Sequence, residues 1–166
     1  MSRSKIVVFA ALLAFSLGLV AIGSVMAAEK IKGRTVKYTV KWEQIEVGDE
    51  EGHVVAAYEQ TGVSSILVGD SLQEGMVMNE YGTIDMNVNT GIGSAQGYAV
   101  VTDKDGDKGI WQFESNTPEA GIWQGEVTLV NGTGKYEGAT GQLTSTVHVL
   151  SPNLSYVDWE GEWELP

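Results

Sequence analysis

Asn131 to Val149 reads "NGTGKYEGATGQLTSTVHV", a glycine-rich corner that runs straight into an alternating strand. Gly132, Gly134, Gly138 and Gly141 supply the backbone freedom for a tight, one-turn helical corner, and Tyr136 supplies an aromatic plug. From Thr140 onward Leu143, Val147 and Val149 share one face and Thr144, Thr146 and His148 the other, with Gly141 and Ser145 as gaps in the apolar row. One face is expected to be buried and the other polar.

The same two-residue period recurs between glycine-rich breaks, with no helical period to compete with it. Thr35 to Trp42 is the cleanest example: Val36, Tyr38, Val40 and Trp42 take one face and Thr35, Lys37, Thr39 and Lys41 the other, the apolar set being expected inside. His53 to Thr61 is a second strand, and Gly75 to Met78 with Thr83 to Val88 a broken third. Ser94 to Thr102 and Lys108 to Glu114 are joined through "DKDG", where Asp105-Gly106 signals a two-residue hairpin with positive φ at both central positions. Gly121 to Val130 sets Trp123, Val127 and Leu129 on one face. Tyr156 to Leu165 sets Val157, Trp159, Trp163 and Leu165 against Asp158, Glu160, Glu162 and Glu164. About eight strands at this spacing predict an all-β sandwich or closed barrel.

"GTGKYEGATG" resembles the G-T-G-[KR]-[YF]-x-G-x-x-G corner of plant allene oxide cyclases, dirigent proteins and related bacterial secreted proteins. Gly132, Thr133, Gly134, Lys135, Tyr136, Gly138 and Gly141 stand where that motif has them. "GYAVVTDKDGDKG" from Gly97 to Gly109 and "DWEGEWEL" near the end are similar to the bacterial members, so the resemblance spans roughly the second half of the chain. It implies the barrel, a single antiparallel eight-stranded domain over 29–166. In those families the corner is structural and carries no catalytic residue with it.

The first 28 residues read as a secretory signal: Arg3 and Lys5, an uncharged apolar run from Ile6 to Gly23, then Val25 and Ala27 at the minus-three and minus-one positions of a cleavage site, with Ala28 an alternative end. The alternative is an uncleaved anchor, since the run approaches the length of a membrane span. Cleavage predicts a periplasmic or secreted protein with no membrane attachment. Loss of Arg3 and Lys5 leaves eight basic side chains against 22 acidic ones, a net charge of −14 (8 − 22). Such a surface repels phosphate backbones, which argues against nucleic acid as a partner. The absence of cysteine excludes disulfides, thiolate metal sites and cysteine nucleophiles.

"DKDGDKGIWQFE" matches a calcium-loop pattern at Asp103, Asp105, Asp107, Ile110 and Glu114, but Lys108 occupies the glycine position and the flanks read as strands. An acidic hairpin tip is the expectation, with Asp103, Asp105 and Asp107 kept as a weak cation candidate and no cofactor implied. The carboxylates of the last strand lie opposite its tryptophans, on a face expected to be solvated. His53 and His148 are too few for a zinc site without carboxylate help. No nucleophile elbow or phosphate-cradling loop is present, so no residue is assigned a catalytic role.

An eight-stranded barrel is just wide enough to be filled by side chains or to hold one small ligand. Tyr38, Trp42, Trp111, Trp123, Trp159 and Trp163 sit on the apolar parity of their strands and are expected to point inward, as packed core or as the lining of a ligand site. Three functions are therefore open: a non-catalytic barrel that binds a small apolar or aromatic molecule or is purely structural, a cyclase or isomerase such as the resemblance implies, and an acidic envelope or matrix protein that binds cations weakly.

Overall fold

The computed structural model describes residues 28–166, so the expected leader lies outside the described residues except for Ala28. Eight antiparallel strands close in chain order: β1 (Glu29–Glu46), β2 (His53–Val68), β3 (Ser71–Asn87), β4 (Ile92–Thr102), β5 (Lys108–Glu119), β6 (Ile122–Gly132), β7 (Thr140–Ser151) and β8 (Leu154–Glu164). β1 closes the barrel because it pairs with β2 on one side and β8 on the other; Thr35 stands opposite both Ser64 and Val157. Pairing with β8 stops at Tyr38 while pairing with β2 runs on to Glu46, so the β1–β2 hairpin projects beyond the wall formed by β8.

Gly134–Tyr136 forms a single 3-10 turn between β6 and β7. Gly134 and Gly138 have φ of +58° and +80°, left-handed values that glycine adopts without strain. This corner drives Tyr136, only 2% exposed, into a cluster with Ile31, Ile66, Met78, Trp111 and Trp163. The result is one stoppered barrel end. A second cluster, Ala56, Ile84, Ala95 and Trp123, lies toward the opposite end.

Three local expectations are corrected. β3 is continuous, because Gly82, the residue that interrupts its pattern, stays paired with Tyr58 on one side and Gly97 on the other. The β4–β5 turn is not a two-residue hairpin. Gly106 alone has positive φ (+89°), its N–H donates to the Asp103 carbonyl, and the Asp103 N–H donates to the Asp107 carbonyl, giving a three-residue connection that ends in a left-handed glycine.

The third correction concerns β1, whose polar face is the inner one. Ile31, Thr35 and Lys37 are buried, whereas Val36, Tyr38 and Val40 are exposed on the outer wall. The inward phase places Gly33 beneath the Trp159 ring, where any Cβ would collide with the indole. The outer wall accepts the displaced apolar residues because they meet others there: Val36 stands opposite Val63, Val63 opposite Val77, and Tyr81 opposite Tyr98.

Candidate functional site

The barrel interior encloses a cavity of about 330 Å³, within the range of small-molecule sites. It reaches the surface at the end remote from Tyr136, where Trp42, Ser151 and Pro152 line it and are exposed. Most of the lining is apolar; Ser115, Ser145, Ser151 and Ser155 are scattered over β5, β7 and β8, while both charged side chains and the Gln60 amide fall on one stretch of wall contributed by β1, β2 and β3.

That stretch is built from facing register positions. Thr39 lies opposite Gln60 and Gln60 opposite Glu80, one polar row running across three strands. Lys37 faces Gly62, which leaves its side chain free to cross to β3, where Nζ donates to both oxygens of Glu80 at 2.9 and 2.8 Å. Tyr58 faces Gly82 and reaches the same carboxylate, its hydroxyl donating to Oε1 at 3.0 Å. A Cβ at Gly82 would lie 2.7 Å from the Tyr58 hydroxyl, so glycine at this position creates the path. Side chains of Lys37 and Glu80 are only 6% and 8% exposed. Burial, then the negative charge of Glu80 and the hydrogen bond to it, push the Tyr58 phenol far above its ordinary range, so it remains a neutral donor.

Two further contacts extend the polar wall. Thr35 and Ser64 hydroxyls lie 2.7 Å apart, and the Trp159 indole N–H donates to Thr35 Oγ1 at 3.2 Å. Gln60 Nε2 donates to Thr39 Oγ1 at 3.0 Å, while Gln60 Oε1 is buried and accepts nothing.

Of the residues read from the sequence as facing the lumen, Trp111 and Trp163 pack at the stoppered end, where the Trp163 and Tyr136 ring centroids are 5.9 Å apart. Trp123 lies in the cluster toward the open end, and Trp159 is half-buried against Thr35. Trp42 reaches the lumen through a bulge: Thr39 pairs with Gln60 and Lys41 with Glu59, so Val40 is extra and the phase of β1 reverses. Trp42 then stacks on Tyr58 at the mouth, 42% exposed. Tyr38 lies before the bulge and faces outward, 53% exposed, so it is not a lumen residue.

The residues that sequence reasoning missed are Lys37, Tyr58, Gln60 and Glu80. A signal for Glu80 was present. Met76, Met78, Ile84 and Met86 share its parity and line the lumen, so Glu80 is a charge placed within an apolar row; breaking β3 near Gly82 hid it.

The three aspartates of the β4–β5 turn are committed to the fold. Asp103 Oδ1 accepts from the N–H groups of Asp105 and Asp107, and Oδ2 lies 2.6 Å from Lys135 Nζ as an ion pair. Burial opposes ionisation of Asp103, but Lys135 and those backbone donors outweigh it and hold the carboxyl below its ordinary range. Asp107 Oδ2 accepts from the Lys135 N–H at 3.1 Å, and Asp105 pairs with the adjacent Lys104. Lys135 thus neutralises Asp103 and ties this tip to the glycine corner. Among the described residues no group of three His, Asp or Glu side chains converges as metal ligands would.

The fold resembles that of a pterocarpan synthase dirigent protein, with a TM-score of 0.50 and 10% sequence identity over 87% of this chain and 96% of that one. The chain therefore shares with that dirigent protein the fold of a closed, eight-stranded antiparallel barrel. No family model matches the sequence, and no curated protein matches it.

Proposed function

We propose that this protein is an exported, non-catalytic barrel that holds a small, largely apolar molecule in its lumen. The observation that carries this reading is the union of an open, mostly apolar cavity of about 330 Å³ with a polar patch at Lys37, Tyr58, Gln60 and Glu80 that holds both charged side chains of the lining. An apolar site with a few convergent polar groups is the usual form of a small-molecule site. Apolar walls supply affinity and the patch supplies orientation.

Binding is favoured over cyclase or isomerase chemistry by the state of Glu80. This carboxylate faces the lumen, but Lys37 Nζ holds both of its oxygens and the Tyr58 hydroxyl donates to Oε1, so its acceptor positions are already engaged within the protein. The similarity to a pterocarpan synthase is one of fold, and the activity in that protein's name does not transfer on it.

Tryptophan fluorescence tests the reading. A panel of apolar and aromatic small molecules is titrated into the protein, and at least one is expected to quench or shift the emission saturably. Trp123→Ala or Trp42→Ala is expected to weaken that binding. If no compound gives a saturable change and none raises the melting temperature, the lumen is structural. Export is tested separately by intact mass from the envelope fraction, with a mature N-terminus at Ala28 or Glu29 expected.

A further inference from the structure

Two side chains that line the lumen each carry a buried polar atom without a hydrogen-bond partner, the Tyr136 hydroxyl at the stoppered end and Gln60 Oε1 on the polar stretch of wall. Gln60 Oε1 is buried without a donor, while the same amide's Nε2 is fixed by Thr39 Oγ1 at 3.0 Å. A buried carbonyl oxygen left without a donor is unfavourable and is normally satisfied by protein, water or ligand. Gln60 lines the cavity and stands directly opposite Glu80, so this acceptor belongs to the polar patch.

The charges around it limit what can supply the donor. Lys37 and Glu80 neutralise one another, and no further lysine, arginine or acidic side chain lines the cavity. An anionic group beside Gln60 would face a carbonyl oxygen and the Glu80 carboxylate, with Lys37 already engaged. A cationic group would compete with Lys37 for Glu80. A neutral donor, a hydroxyl or amide N–H, meets neither penalty. The wall from this patch toward the mouth carries Trp42, Ile84, Met86, Trp123 and Val147 and suits an apolar body.

Building on the lumen-binding reading, we infer that the ligand class is a neutral apolar molecule carrying one hydrogen-bond donor, inserted donor first so that the donor meets Gln60 Oε1 and the apolar body lies toward Trp42 and Trp123. Gln60 is on this account the specificity-determining residue, discriminating against carboxylates and against acceptor-only groups.

The test is calorimetric titration of the full barrel with four compounds that share one body: 2-naphthalenemethanol, 2-acetylnaphthalene, 2-naphthoate and 2-methylnaphthalene. The alcohol is expected to bind about tenfold tighter than the hydrocarbon, the scale of one net hydrogen bond, with the ketone no better than the hydrocarbon and the carboxylate weakest. In Gln60→Met, which keeps the side chain's length and removes the acceptor, the alcohol's advantage is expected to fall below about threefold while the hydrocarbon's affinity is retained. Equal binding of all four overturns the inference and leaves lumen binding intact. Tightest binding by the carboxylate or the ketone also overturns it. Failure of all four, together with failure of the fluorescence panel above, removes the lumen reading itself.

Discussion

Lys37 Nζ lies 2.8 Å from Glu80 Oε2 in the barrel interior, although the two residues are 43 apart in sequence. Both charges are withdrawn from water, so the pair is a poor source of net stability but a costly one to break. Lys37→Met alone and Glu80→Met alone are each expected to destabilise by about 3–5 kcal/mol, because each leaves one buried charge without its partner. The double variant is expected to recover at least half of that loss. Urea unfolding of the three variants checks this, and single variants costing below about 1 kcal/mol would mean that water reaches the pair.

Gly134 and Gly138 both hold left-handed backbone, but their surroundings differ. A Cβ at Gly134 would overlap the Asp107 carboxylate, which accepts the Lys135 N–H, whereas a Cβ at Gly138 meets nothing within 4 Å. Backbone strain of about 1–3 kcal/mol is expected in both valine variants. Gly134→Val should lose more, since it also displaces Asp107 from the corner. Thermal melts give the order; equal midpoints, or a larger loss for Gly138→Val, would refute the link between the two turns.

The glycine corner was legible because its chemistry is local: glycines at fixed spacing and one aromatic determine the turn without help from distant strands. The face of β1 was not. Alternation divides Thr35–Trp42 into two sets but does not say which is inside, and hydrophobicity favours Val36, Tyr38 and Val40 for the interior. What decides the phase is non-local: Trp159 over Gly33, and Glu80 on β3 as the partner of Lys37. Trp42 reached the lumen through a bulge at Val40, a feature that strict alternation cannot express. In β7, by contrast, Leu143, Ser145, Val147 and Val149 all line the lumen on the face the alternation indicates, the Ser145 gap included.

Gly82 has no positive φ, and its importance rests on space. A Cβ there would sit 2.7 Å from both Cζ and the hydroxyl of Tyr58 and 2.9 Å from the Gln96 carbonyl. Gly82→Ala is therefore expected to cost about 1–3 kcal/mol, the range for an overfilled interior, and to push Tyr58 away from Glu80. Denaturant midpoints measure the first effect. The second is read from the phenolate absorbance, with Tyr58 ionising at lower pH once displaced. A neutral substitution would show that Tyr58 does not depend on that gap.

His53 joins the turn of the β1–β2 hairpin to β3. Its Nδ1 lies 2.5 Å from Asp49 Oδ1 and its Nε2 2.8 Å from Asp85 Oδ1. Ionised carboxylates only accept, so both bonds require both ring nitrogens protonated. The hydrogen bond to Asp85, then that to Asp49, raises the His53 pKa above its ordinary 6.5 against an opposing desolvation effect. A folded pKa above the unfolded one gives stability that is complete below about pH 6.5 and is lost as pH rises through the folded value. Asp49 behaves oppositely: its pKa is lowered, chiefly by His53, so its contribution is present above 3.8 and lost as pH falls through the folded value. The latch is thus complete between the two losses and weakens on the alkaline side first by deprotonation of His53. Imidazole NMR titration should place the His53 midpoint higher in the folded protein than in the urea-unfolded chain. His53→Gln should flatten the decline in stability above pH 6.5, and a variant that retains the full decline would assign it to another group.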